Sequence, residues 1–237
     1  MKSHLPAQPN RSLMEGLEVL LALVQRGESV GVRELARQLD MTPSRLQRYV
    51  ATLAHLGLAR QRPDRRYEVG AGIHSLSAMS LTASGLAPRA FAVLPELDDL
   101  GLNVALGVLW RRTVSYLYFS RPGAPPAHAL GTEPGWPARE SSIGLLMLAH
   151  ADPEQVERDF PEDASLLRPQ LPNIRKEGMV KIARPTGDHS LAVTVGDPVT
   201  AGLAVSGRFT EAETPAIVAR LREAASRLDT PSPETTP

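Results

Sequence analysis

Apolar residues recur along the N-terminal third of the chain with the period of helices. Leu13, Leu17, Leu20, Leu21 and Val24 stand at i, i+4, i+7, i+8 and i+11, which predicts an amphipathic helix with one buried stripe. Ser12 offers an N-cap with Glu15 completing a capping box, and Gly27 offers the stop. Val32, Leu35, Ala36 and Leu39 form the face of a second, shorter helix, ending at Asp40, a residue that tolerates the left-handed turn conformation. Thr42-Pro43 opens a third helix, since Thr caps well and Pro suits the first helical position. Leu46, Val50, Leu53 and Leu56 give its stripe, and Gly57 closes it. Tyr49 is expected to pack against the second helix. Two short extended runs, Leu58–Arg62 and Arg66–Gly70, then flank the turn signal Pro63-Asp64-Arg65. Helix, helix, tight turn, helix, hairpin is the order of a winged helix-turn-helix.

Beyond it, Ile73, Leu76 and Met79 predict a connecting helix over 73–84, and Phe91, Leu94 and Leu97 another over roughly 88–100. After Gly101 the pattern shifts to strands: Asn103–Trp110 and Val114–Phe119 flank Arg111-Arg112-Thr113, with Trp110 expected in the core. Residues 120–139 read as a long Pro- and Gly-rich loop. Ser141–His150 reads as a short apolar helix, 152–160 and 166–177 as helical, Leu191–Val195 and Thr200–Ser206 as strands, and 211–228 as a final helix. The expected class is α+β: a winged helix-turn-helix domain over 11–70, a linker helix over 71–86 and a second domain over 87–228. Tails at 1–10 and 229–237 are expected to be disordered.

Composition narrows the classes. At 42% hydrophobic and 22% charged residues, the 237-residue chain is too apolar for general disorder. No run approaches about 18 apolar residues, so no membrane partner is expected. The first residues have no apolar signal core, which predicts a cytoplasmic protein. The absence of cysteine excludes disulfides, thiol nucleophiles and cysteine-ligated zinc. The net charge of zero conceals +4 over residues 1–76 and −4 over the remainder. A basic third beside an acidic remainder suggests two tasks, one facing a polyanion.

The third helix supplies chemistry for that polyanion. Arg45, Arg48, Thr52 and His55 share one face at three-to-four-residue spacing. An α-helix fits the major groove, where Arg48, Arg45 and Gln47 could bond base edges in bidentate fashion, while Thr42 and Ser44 beside the first-turn amides suit a phosphate. Arg60, Arg62, Arg65 and Arg66 of the hairpin would grip the backbone or the minor groove. Six arginines meeting about six phosphates would give a logarithmic salt slope of roughly −5. The expected partner is double-stranded operator DNA, the alternatives being a merely solvated face or a winged helix turned to protein–protein contact.

Other patterns carry less. Gly27-Glu28-Ser29-Val30-Gly31 matches a nucleophile elbow, but a helix precedes it where that motif needs a strand. The six histidines show no metal-ligand spacing, and neither a metal nor another cofactor is expected. Asp188-His189-Ser190 reads as a strand-entry turn, and Trp136 as a core or rim aromatic that could sit over a pocket mouth.

The run Val32–Leu53, with Leu56-Gly57-Leu58-Ala59 and Arg66-Tyr67-Glu68-Val69-Gly70, resembles the DNA-binding domain of the IclR family of bacterial regulators. Pro137–Ala149, Ile174-Arg175-Lys176-Glu177-Gly178 and Leu203-Ala204-Val205-Ser206-Gly207 are similar to that family's C-terminal motifs. The resemblance implies a GAF-like or profilin-like antiparallel-sheet effector domain, a homodimer or homotetramer, and usually repression. It also implies an effector site at Ser142 and Ile143, Ser190, and Ala204 with Ser206. Leu145 stands where Lys is common, Ser190 at a cysteine position and Ala204 at a serine position, and the stretch from Gly178 to Gly187 is short. These departures argue against a small oxoacid and leave open a more apolar effector or none. The alternative is a ligand-blind DNA-binding or architectural protein whose C-terminal domain only oligomerises. For an enzyme there is no metal set, triad or phosphate loop.

Overall fold

The computed structural model describes residues 8–125 and 135–229. The chain divides into two units, Met1–Ala83 and Ser84–Pro237. Of the expected disordered tails, residues 1–7 and 230–237 lie outside the described residues, whereas Asn10 and Asp229 belong to the ends of helices.

The first unit comprises α1 (Arg11–Arg26), α2 (Val32–Gln38), α3 (Pro43–His55), the antiparallel hairpin β1 (Ala59–Gln61) and β2 (Tyr67–Val69), and α4 (Ala71–Ser84). Gly27, at φ 70°, ends α1, and Asp40, at φ 52°, makes the left-handed turn after α2. Thr42 caps α3 by accepting from the Arg45 amide at 3.4 Å. The cap of α1 differs from expectation: Asn10, not Ser12, accepts from the Leu13 amide at 3.0 Å. Val30 and Tyr67 exchange backbone hydrogen bonds of 2.8 Å, which ties the hairpin to the loop between α1 and α2.

The buried face of α1 also differs from the leucine stripe. Val19, Ala22 and Leu23 are buried, whereas Leu13 and Leu17 are 63% and 53% exposed and Val24 is exposed as well. Two apolar stripes compete on this helix. The one that wins continues Glu15 at i+4, i+7 and i+8, and Glu15 is bonded to α3. That polar anchor sets the rotation of α1. Tyr49, expected to pack against α2, is also tied to α1 through its hydrogen bond to Glu15.

The second unit is a six-stranded antiparallel sheet with helices on both faces. β3 (Asn103–Trp110), β4 (Thr113–Ser120), β5 (Trp136–Pro137), β6 (Met179–Ala183), β7 (His189–Val195) and β8 (Ala201–Gly207) lie in the order β5-β4-β3-β8-β7-β6. The alternation of β7 and β8 sorts their side chains. Leu191, Val193, Leu203 and Val205 join one core with α5 (Leu86–Val93), a 3-10 turn (Leu94–Leu100) and α10 (Thr214–Asp229). Ala192 and Ala204 face the other core, built on α6 (Ser142–His150) with α7 (Pro153–Asp159), α8 (Ala164–Leu167) and α9 (Leu171–Glu177).

Prolines account for two departures from the expected helices. The helix over 88–100 tightens to the 3-10 turn at Leu94-Pro95, and that over 166–177 breaks between α8 and α9 around Pro169. Strand β6 was not expected; it pairs with β7 as an edge strand. Trp110, expected in the core, is 53% exposed at the end of β3, with the Arg111 guanidinium 5.6 Å from its ring. It is the last residue before the β3–β4 turn, beyond the area the helices cover.

α6 is apolar all round because it is enclosed, with seven of its nine residues buried. Gly144 permits its approach to the turn Ala138–Glu140: a Cβ there would lie 2.0 Å from the Ala138 carbonyl oxygen. At the far end Arg175 donates from Nε to the Ala149 carbonyl (2.5 Å) and from Nη2 to that of Ala151 (3.0 Å), capping α6.

Gly144→Ala is expected to destabilise the second unit by about 3 kcal/mol, because the backbone of the turn cannot give way as a side chain would. Both tryptophans lie in this unit, so denaturation followed by tryptophan fluorescence reads it. An unchanged unfolding midpoint would contradict the close approach.

Candidate functional site

α3 presents Thr42, Ser44, Gln47, Arg48 and Thr52 to solvent, with Ala51 and His55 beside them. The Thr42 and Ser44 hydroxyls lie 3.3 Å apart at the helix start, beside the first-turn amides. Gln47 donates to the Tyr67 hydroxyl at 3.0 Å, which joins the exposed face of α3 to the hairpin. Thr52 donates to the Arg48 carbonyl at 2.9 Å.

The six arginines are not equivalent. Arg48 and Arg65 have no carboxylate partner among the described residues. Arg65 sits at the hairpin tip with a left-handed backbone, φ 65°. Arg60 and Arg62 both reach Glu68, Arg62 at 3.3 Å; the Arg60 side chain remains largely open to solvent and that of Arg62 about half. Such pairs are weak and can exchange one anion for another.

Arg45 and Arg66 are turned inward. Arg66 donates through Nη2 to the Ser29 carbonyl at 2.7 Å and through Nε to the same oxygen at 3.2 Å, which holds the hairpin base to the α1–α2 loop. Arg45 donates to Glu15 at 2.6 Å. Glu15 also accepts from the Tyr49 hydroxyl at 2.5 Å and from Arg11 at 2.8 Å. The Tyr49 hydrogen bond, with Arg11 and Arg45 beside it, holds the Glu15 carboxyl below the usual carboxylate range. Sequence reading missed this cluster, although Glu15, Val19, Ala22 and Leu23 form a helical stripe headed by a carboxylate.

In the second unit the sheet register brings the expected effector residues together. Ser190 pairs with Ser206 and Ala192 with Ala204, so these side chains share one face. Ser142 and Ser190 join their hydroxyls at 2.7 Å, and both residues are buried. Ile143 is buried on Gly107 and Gly202, which oppose each other on β3 and β8; a Cβ on Gly202 would lie 2.9 Å from Ile143 Cγ2. Ser206 Oγ accepts from Asn103 at 3.3 Å. Trp136, 40% exposed on β5, has the Arg184 guanidinium 5.5 Å from its ring centre. Arg184 follows β6, the opposite edge, so the sheet curls into a half-barrel around this face. Much of the loop preceding Trp136 lies outside the described residues. No metal-binding cluster of His, Asp and Glu occurs among the described residues, and no helix there is long and apolar enough to cross a membrane.

The IclR helix-turn-helix domain model matches residues 12–63. The chain is 29% identical over 246 residues to the HTH-type transcriptional regulator BhcR of Paracoccus denitrificans, across 92% of this chain and 86% of that protein. Its fold is similar to that of a putative IclR transcriptional regulator from Silicibacter sp. TM1040, with a TM-score of 0.74 and 21% identity over 94% of this chain and 99% of that one. An IclR homologue from Microbacterium hydrocarbonoxydans, solved in complex with 4-hydroxybenzoate, matches with a TM-score of 0.64 and 21% identity over 90% and 97% of the two chains. A winged helix-turn-helix joined to a curled antiparallel sheet flanked by helices defines a DNA-binding regulator of transcription. Residues 12–63 are an IclR-type helix-turn-helix domain, and over most of its length the chain is similar to IclR regulators.

The depressed Glu15 carboxyl has a pH consequence. Its contribution to stability is complete above the unfolded value of about 4.3 and disappears as pH falls through the lower folded value. Urea titrations read by the Val19 and Val50 methyl resonances are expected to show the first unit weakening over that acid range. Glu15→Gln should flatten the dependence; identical profiles would show that the cluster does not stabilise the fold.

Proposed function

We propose that the protein is a repressor that covers promoter DNA as a homodimer and is controlled by a small molecule bound in its second unit. The observation that carries the DNA reading is the exposed face of α3. Arg48, unpaired, stands there between Ser44 and Thr52, beside the cationic hairpin tip of Arg65. Arg48 and Gln47 read base edges in the major groove, and Thr42 and Ser44 hold a phosphate at the helix start. Arg60, Arg62 and Arg65 grip the backbone. Arg45 and Arg66 act through other residues, by fixing α3 and the hairpin in place. With three arginines reaching phosphate instead of six, the salt slope falls to about −2.7 per DNA-binding unit.

Leu13, Met14, Leu17, Leu56, Leu76 and Met79 are all more than half exposed on the first unit. So much apolar surface supports pairing of two copies, and homotetramers follow if the second units also pair. Two recognition helices would then meet half-sites about 34–36 Å apart. The protein acts by binding, in the cytoplasm, and catalyses no reaction.

Effector control is supported by the 4-hydroxybenzoate complex of the Microbacterium relative. The face carrying Ser142, Ser190, Ala204 and Ser206, with Ile143 beneath and Trp136 at the edge, would receive such a ligand. One observation favours a second reading, in which the second unit only oligomerises: the Ser142 and Ser190 hydroxyls already satisfy each other. A ligand that changes operator affinity decides for the first reading.

The test is fluorescence anisotropy of the full-length protein on its own upstream DNA across a salt series. Arg48→Ala should cost about 1–3 kcal/mol on the operator and relax sequence preference, whereas Arg65→Ala should weaken all sequences alike and reduce the slope by about 1. Equal binding of operator and scrambled DNA by the wild type would overturn the reading.

A further inference from the structure

The second unit contains a cavity of about 380 Å³ at the C-terminal end of α6, closed by α7, α8 and α9. Leu148, Val156, Leu167 and Leu171 supply its apolar wall. Its size falls within the range of small-molecule sites, about 300–1,000 Å³. It is separate from the expected effector residues, which gather at the other end of α6. Ser142 and Ala149 are seven positions apart, roughly 10 Å along the helix.

The rim is cationic. Arg168 and Arg175 both line the cavity, against one acid, Glu157. Glu157 lies 3.8 Å from Arg168, with both side chains more than half exposed, so that pair is weak and can open. Arg175 is held by the Ala149 and Ala151 carbonyls through Nε and Nη2, and its Nη1 has no hydrogen-bond partner among the described residues. A guanidinium fixed in this way loses little freedom on meeting a carboxylate.

We propose that this cavity binds a small organic monoanion, an aromatic or branched-aliphatic body bearing one carboxylate. The body fills the space between the leucines and Val156, and the carboxylate replaces Glu157 on Arg168 and takes the spare donors of Arg175. The site goes beyond the DNA-binding reading and does not depend on it. The ligand would grip the end of a helix whose other end carries Ser142.

Calorimetric titration of full-length protein with 1-naphthoate, against 1-naphthamide as the neutral isostere, tests the site. Saturable naphthoate binding is expected, about tenfold tighter than naphthamide. Ala164→Phe, which fills the cavity from α8, should abolish both, and Arg168→Gln should remove the preference for the carboxylate. If Ala164→Phe fails to fold, Arg168→Gln decides, since its side chain is exposed and folding does not depend on it. No binding up to about 5 mM, no preference for the carboxylate, or a preference that survives Arg168→Gln would overturn the proposal. Anisotropy on the same samples separates the two readings: intact operator binding without naphthoate binding removes this site alone.

Discussion

One carboxylate organises the DNA-binding unit. Glu15 accepts from Tyr49, Arg45 and Arg11, so it ties the first helix to two positions of the recognition helix. Its side chain is largely withdrawn from water, which makes satisfied hydrogen bonds a requirement. Because Glu15, Val19, Ala22 and Leu23 lie on one stripe, fixing Glu15 turns those three residues inward and leaves Leu13, Leu17 and Val24 outside. The same bond withdraws Arg45 from the cations open to a ligand and leaves Arg48 as the free guanidinium of α3.

In the second unit the comparable constraint is the enclosure of α6. Its first turns require Gly144 beside Ala138, and Ile143 requires the paired glycines of β3 and β8 beneath it. Its last carbonyls require Arg175. These needs give a physical sense to sequence motifs that otherwise read as a bare pattern. The glycine allows a backbone approach, and the arginine caps a helix through a carbonyl 26 positions earlier in the chain. The same tight packing closes off Ser142, Ile143 and Ser190 and leaves open volume at the opposite end of the helix.

Most of the architecture was legible in the chain because it rests on local rules. Gly27 and Asp40 end helices by adopting left-handed conformations, Thr42-Pro43 starts one, and alternation marks β3, β7 and β8. The candidate site was legible as a set of residue types, since spacing alone places Ser44, Arg48 and Thr52 towards one side of α3. Spacing could not tell which arginines are spoken for. Glu15 meets Arg45 from 30 positions away, and Arg66 meets Ser29 from 37.

The sequence by itself therefore determined the order of most elements, the winged helix-turn-helix and the division into a basic and an acidic part, because propensity, capping and charge are properties of neighbours along the chain. The tertiary structure decided which of two apolar stripes of α1 is buried, which guanidiniums remain free, that Trp110 is outside and Ile143 inside, and where the second unit keeps empty space. Those outcomes depend on which distant group supplies a hydrogen bond or fills a volume, and periodicity along the chain carries no record of that.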